Sequence, residues 1–194
     1  MGLSLVTDVT EEPVSLDEAK AHLRLDTDDD DAYLAGCISA ARIWVEGQTK
    51  RAILPQTWDY TIDGGWPYQD GFHRIVLPLN PVKAIAGTSP EVFSITYVDE
   101  NGATQTLAQS QYTLVSRTHG SYIKPAYGIT WPSVRDVPNA VTVRFVAGDA
   151  DNIPQELHRA IMILACQYYE YRETGSGAPH AVEALVSTYR GVQM

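Results

Sequence analysis

The densest group of chemically capable side chains is the acidic run Asp26, Asp28, Asp29, Asp30 and Asp31. Clustered carboxylates suggest a calcium loop, in which oxygens at fixed positions surround a hard cation. Counting from Asp26, an EF-hand needs glycine where Asp31 stands and glutamate where Cys37 stands, so that motif fails. A simpler use is available: carboxylates at the head of a helix cap free amides and favour its dipole. Asp59 and Asp63 resemble an acid/base pair only superficially, since two acids on a polar strand face are ordinarily just solvated. The histidines (His22, His73, His119, His158 and His180) are scattered, with no zinc-like Cys/His spacing. No phosphate-binding loop, dinucleotide fingerprint or nucleophile elbow occurs. The expectation is a chain that is not an enzyme, with no catalytic residue, metal ligand or cofactor.

Two aromatic patterns point to binding instead. Tyr168, Tyr169, Tyr171 and Arg172 crowd the end of a helical stretch on more than one face. Core packing accounts readily for Tyr168, whereas tyrosine and arginine together are favoured interface anchors, which nominates Tyr169, Tyr171 and Arg172 as a subunit interface. Trp66-Pro67-Tyr68, flanked by glycines, reads as a loop with exposed aromatics.

The elements that position these residues follow from periodicity. Ser15 with Glu18 forms a capping box, with Pro13 before it, opening a short helix with Leu16, Ala19 and Leu23 on one stripe. A second helix is predicted over 28–49, with Leu34, Cys37, Ile38, Ala41, Trp44 and Val45 at three- and four-residue spacing. From Gln56 the period becomes two, and Trp58, Tyr60 and Ile62 alternate with polar residues. Further strands are predicted over 74–77, 82–85, 93–98, 112–115, 121–124 and 140–146. Asn101-Gly102 marks a hairpin, read as a tight primed turn. Pro154 is placed in the first turn of a third helix, whose buried face is Leu157, Ala160, Ile161, Leu164, Ala165 and Tyr168. After a Gly175-Ser176-Gly177 break, a last helix over 181–189 carries Val182, Leu185, Val186 and Tyr189 on one face.

The fold class is therefore α+β: a helical core made from the two ends of the chain, with a large antiparallel β insertion, a small sandwich or barrel. The expected division is an N-terminal helical arm over 1–55, the β-rich insertion over 56–148, and a C-terminal helix and tail over 149–194.

At 194 residues, with 44% hydrophobic and 20% charged residues, the chain can bury an ordinary core. Its net charge of −10 is concentrated in the helical ends: residues 1–55 carry five Lys/Arg against eleven Asp/Glu. Such a surface repels nucleic-acid phosphates, so tight DNA binding is not expected. Cys37 and Cys166, each in an apolar helical pattern, read as small core residues of a reduced compartment. No apolar run approaches a membrane span, and a signal peptide is not expected.

Taken together, these residues resemble the head–tail connector (adaptor) family of tailed phages, prophages and gene transfer agents. The likeness is carried by Val14 through Arg24, by the second helix through Trp58, and by Ile95-Thr96-Tyr97-Val98-Asp99 with Asn101-Gly102. Ile129-Thr130-Trp131-Pro132, Ile153-Pro154, Tyr168 through Glu173 and Val182 through Arg190 add to it. The resemblance implies a structural protein of the virion neck, present in the host cytoplasm during assembly. It would form a ring, usually of twelve copies, under a portal protein and above a stopper or tail-terminator protein. DNA would pass through without specific binding, and no membrane is involved. Asp28, Asp29, Asp30 and Asp31 are candidate linings of that passage. The C-terminal segment would reach into the portal, with Val182, Leu185, Val186, Tyr189 and Arg190 at the contact. A short tethered helix must dock somewhere, and its own domain is the competing site. The rival function is a carbohydrate-binding or tail-associated β module using Trp66 and Tyr68.

Overall fold

The computed structural model describes residues 1–69, 72–82, 93–117, 120–171 and 177–190. The chain divides into two compact units: Met1–Asp8 with Pro55–Gly148, and Val9–Leu54 with Asp149–Met194. The class is α+β, with antiparallel sheets and, among the described residues, four α-helices.

The β-rich unit has a five-stranded sheet in the order β1 (Gly2–Thr7), β2 (Gln56–Ile62), β10 (Val141–Ala147), β6 (Ser94–Val98) and β7 (Thr104–Thr106). A three-stranded sheet runs β5 (Ile75–Val76), β9 (Tyr122–Pro125) and β8 (Tyr112–Val115), and β3 (Tyr68–Gln69) pairs with β4 (Phe72–His73). Of the two expected forms, a small sandwich or a barrel, the arrangement is the open, sandwich-like one; among the described strands none closes a barrel. The period-two pattern is clearest in β10, where Val141, Val143, Phe145 and Ala147 are buried and the residues between them only partly so. Register sets Phe145 opposite Trp58, Val143 opposite Tyr60 and Val141 opposite Ile62, but burial along β2 does not alternate as read: Gln56 and Ile62 are buried and the residues between them only partly so. Ile62, Ile75, Leu77, Ile95 and Ile123 complete the core.

The β6–β7 hairpin forms as predicted, with a different turn. Only Gly102 has a positive φ (86°), and the Asp99 carboxylate accepts from the Asn101 and Ala103 amides at 2.9 Å each. An aspartate that holds two turn amides substitutes for the primed geometry. Strands β1, β3 and β4 were not predicted, and β7 was implied only as the second arm of the hairpin. The expected strand over 82–85 falls largely outside the described residues; Val82 itself bridges to Ala147.

The helical unit contains α1 (Leu16–Leu23), α2 (Asp31–Thr49), α3 (Gln155–Glu170) and α4 (His180–Ser187). The capping box is present: the Glu18 amide donates to Ser15 Oγ at 3.2 Å and the Ser15 amide to Glu18 Oε2 at 2.9 Å. Pro154 stands at the N-cap of α3, one residue before the predicted place, and Asp149 caps the 3-10 turn at 150–152 instead of the helix. The apolar stripes meet in one cluster including Leu34, Ile38, Val45, Leu157, Ile161 and Leu164.

Candidate assembly surfaces of the helical unit

Two groups of residues singled out by sequence touch each other. Asp30, at the N-cap of α2, makes no side-chain capping bond; its carboxylate accepts from the Tyr169 hydroxyl at 2.7 Å. The Tyr169 ring lies 6.0 Å from that of Tyr33, whose own hydroxyl donates to the Tyr168 carbonyl at 3.2 Å. Lys20 Nζ, on α1, contacts both Asp28 and Asp31, the latter at 2.8 Å. The two carboxylates, Asp28 first, push the Lys20 ammonium well above its usual range, and Lys20 in turn holds the Asp28 carboxyl low. Asp28, Asp30 and Asp31 thus fasten α1, α2 and α3 at one corner, while Asp26 and Asp29 are exposed. Of the proposed interface residues, Tyr169 faces inward to this corner, Tyr171 is exposed, and Arg172 lies outside the described residues.

A second network was not foreseen. Arg42, 3% exposed, donates to Glu12 Oε2 at 2.9 Å and to Glu46 Oε2 at 3.0 Å. Glu46 Oε1 accepts the Ile53 amide at 2.8 Å, and Ser39 Oγ donates to Glu12 at 2.6 Å. Both charged residues inside α2 between Ala32 and Thr49 are therefore turned into this network. The outward face of α2 is left without charge: its exposed positions include Ala32, Gly36, Ala40, Ile43 and Gly47. Ile43 is 58% exposed. The signal was present in the sequence as missing charge at helical spacing, which a search for stripes of large apolar residues passes over.

The apolar face of α4 packs on its own unit. Val182 and Val186 are fully buried in the helical core, with Leu185 and Tyr189 packed against it. Tyr189 donates to Glu156 at 2.9 Å beneath the Arg51 guanidinium, and Arg190 Nη2 donates to Gln48 Oε1 at 2.9 Å. The competing reading, docking on its own domain, is the arrangement observed. Of the glycine-serine break only Gly177 is described.

Other candidates have structural uses. Asp59 pairs bidentately with Arg144 at 2.7 Å, and Asp63 accepts the Asn139 amide at 2.8 Å. Trp66 is half-buried, not exposed: its ring stacks on Trp131 at 4.4 Å and its indole donates to the Pro132 carbonyl at 2.7 Å. One face that a sugar ring would need is taken. Tyr68 is exposed as read. A shallow cavity between α1 and α3 is lined by His22, Arg24, Ile163, Cys166 and Glu170. Burial pushes its thiol, Cys166, up to about 11, which leaves it protonated and unreactive at neutral pH. Among the described residues no group of His, Cys, Asp or Glu could hold a metal ion, and no helix is long and apolar enough to cross a membrane.

Residues 13–81 match the model of the phage gp6-like head-tail connector protein family. The connector resemblance holds. Three similar solved structures extend it beyond that segment. One, titled as the neck of an empty GTA particle computed with C6 symmetry, is 29% identical at a TM-score of 0.79. A second comes from the virion of a native gene transfer agent particle, at 28% identity and TM-score 0.77. A third is from the neck of a native GTA particle computed with C12 symmetry, at 26% identity and TM-score 0.77. Each alignment covers 100% of this chain and 97% of the other. No curated protein matches. The connector family and the particle necks together support a structural neck-adaptor role.

Proposed function

We propose that the protein is a non-enzymatic connector that forms a ring in the neck of a phage-like particle, under the portal and above a stopper or tail protein. The observation that carries this is the likeness over the whole chain, at 29% identity, to a gene transfer agent neck. Twelve copies are supported by the C12 symmetry of one similar neck. The net charge of −10 suits a ring through which DNA slides without sticking, since multiplied negative charge opposes phosphate contact. Of the candidate linings Asp28, Asp29, Asp30 and Asp31, Asp29 is the best placed, because the other three are engaged at the α1–α2–α3 corner.

Portal contact through Val182, Leu185, Val186 and Tyr189 would require α4 to leave its own core. With α4 docked, the groups it offers a portal are Arg190 and the exposed Glu183, Ala184 and Ser187. The test is removal of the gene from a particle-producing strain. DNA-filled heads and separate tails are expected to accumulate; normally joined, DNA-delivering particles would overturn the reading.

A further inference from the structure

The outward face of α2 has a composition unlike that of the other helices. Exposed positions of α1 include Asp17 and Glu18, those of α3 include Glu156 and Arg159, and α4 exposes Glu183. On α2, from Ala32 to Gln48, not one exposed position is charged, although the chain carries 24 acids and 14 bases. Ala32, Gly36, Ala40, Ile43 and Gly47 follow the 4-4-3-4 spacing of a single helical stripe. Glycine is a poor helix former, and nothing lies within 4 Å of where a Cβ would sit on Gly36 or Gly47. No neighbour within the chain therefore explains why small residues stand there. Small residues along an exposed helix let another backbone approach closely, with Ile43 as the one large apolar knob.

We infer that the uncharged face of α2 is the contact between neighbouring copies of this chain in its ring. Charge selects the occupant. A second copy brings the same net −10, so the surface it approaches with least repulsion is one free of acids, and this face is such a place. DNA gains nothing from an uncharged stripe, and a basic partner would be better met by the acidic corner. A closed ring is built from head-to-tail contacts, so the face meets a different patch of the neighbour and not itself.

The inference rests on the connector reading, and the test separates the two. Ile43→Asp and Gly36→Glu are compared with wild type and with Gln155→Glu, an exposed change on α3. Ile43→Asp and Gln155→Glu are expected to melt close to wild type and Gly36→Glu at or slightly above it, because both α2 positions are open and glycine is a poor helix former. Incorporation of the two α2 variants into particle necks should fall by about tenfold or more, since a desolvated charge at a contact is costly, while Gln155→Glu incorporates normally. In parallel, Ala40→Cys in assembled particles is labelled with a maleimide–benzophenone and irradiated, so that the labelled position links to whatever surface it touches; Cys37 and Cys166 are buried and do not compete. A ladder of dimers and higher multimers of the chain is expected. Normal incorporation of both α2 variants, or cross-links to a different protein alone, overturns the inference and leaves the connector reading intact. Absence of the wild-type chain from necks overturns both.

Discussion

Tyr169 on α3 gives its hydroxyl hydrogen bond to Asp30 at the head of α2, across 139 positions of sequence and at 2.7 Å. One aromatic that read as a partner-binding residue and one acid that read as a cap or channel lining are each other's partner. Removing the hydroxyl in Tyr169→Phe leaves the ring packed on Tyr33 and takes one charge-assisted bond from a partly buried site. A loss of about 1–2 kcal/mol in urea-unfolding free energy is expected. A variant as stable as wild type would show that water replaces the bond without cost.

Arg42 offers a larger effect. Its guanidinium is buried, and both of its carboxylate partners, Glu12 and Glu46, are mostly covered. Arg42→Ala strands two acids next to each other, and a destabilisation of about 3–5 kcal/mol is expected. Combining it with Glu12→Gln should recover part of the loss, because one unpaired charge is then removed; additive losses in the double variant would contradict the network.

The C-terminal helix is part of the fold. Val186→Ala removes buried methyl groups from the helical core, at an expected cost of about 2 kcal/mol. Deleting residues 178–194 should lower the melting temperature clearly. An unchanged melting temperature would mean that α4 contributes no packing in solution and is held for a partner.

Acid should loosen α1. The Ser15 backbone amide, its largest cause, lowers the Glu18 carboxyl, and Lys20 lowers that of Asp28. A carboxyl depressed in the folded state stabilises above its ordinary value and loses that contribution as pH falls through the folded value. Stability should therefore decline below the ordinary 4.5 of Glu18 and 3.8 of Asp28. Glu18→Gln should flatten the decline in urea midpoint measured between pH 5 and 2. A slope identical to wild type would remove Glu18 from the account.

What was legible in the sequence was what local periodicity encodes. The capping box and the α2 and α3 stripes depend on residues three or four apart, and each lies where it was read; the strand predicted over 140–146 lies at Val141–Ala147. The α4 stripe was also legible, but not its destination, because an apolar face does not name the surface that covers it. Arg42 was opaque because Glu12 lies 30 positions back, and Glu46, although four ahead at helical spacing, does not by itself show that the pair is buried. Strand β1 was missed although Leu3 and Leu5 alternate with Ser4; the stretch is short, and all six of its residues are exposed. Trp66 was misjudged because Trp131, which covers it, is 65 residues away in the chain.

The order in which the two units are threaded has a consequence for synthesis. Helix α2 is made early, yet Leu157, Ile161 and Leu164, against which its core face closes, follow only after the whole β-rich segment. At ordinary translation rates α2 waits on the order of ten seconds for its partner. During that interval Leu34, Ile38 and Val45 are uncovered, so the nascent chain is exposed to chaperones and proteases at this point. Ribosome-bound chains halted near residue 150 should be cut within α2 by a protease that the finished protein resists; equal resistance would show that α2 is sheltered before α3 exists.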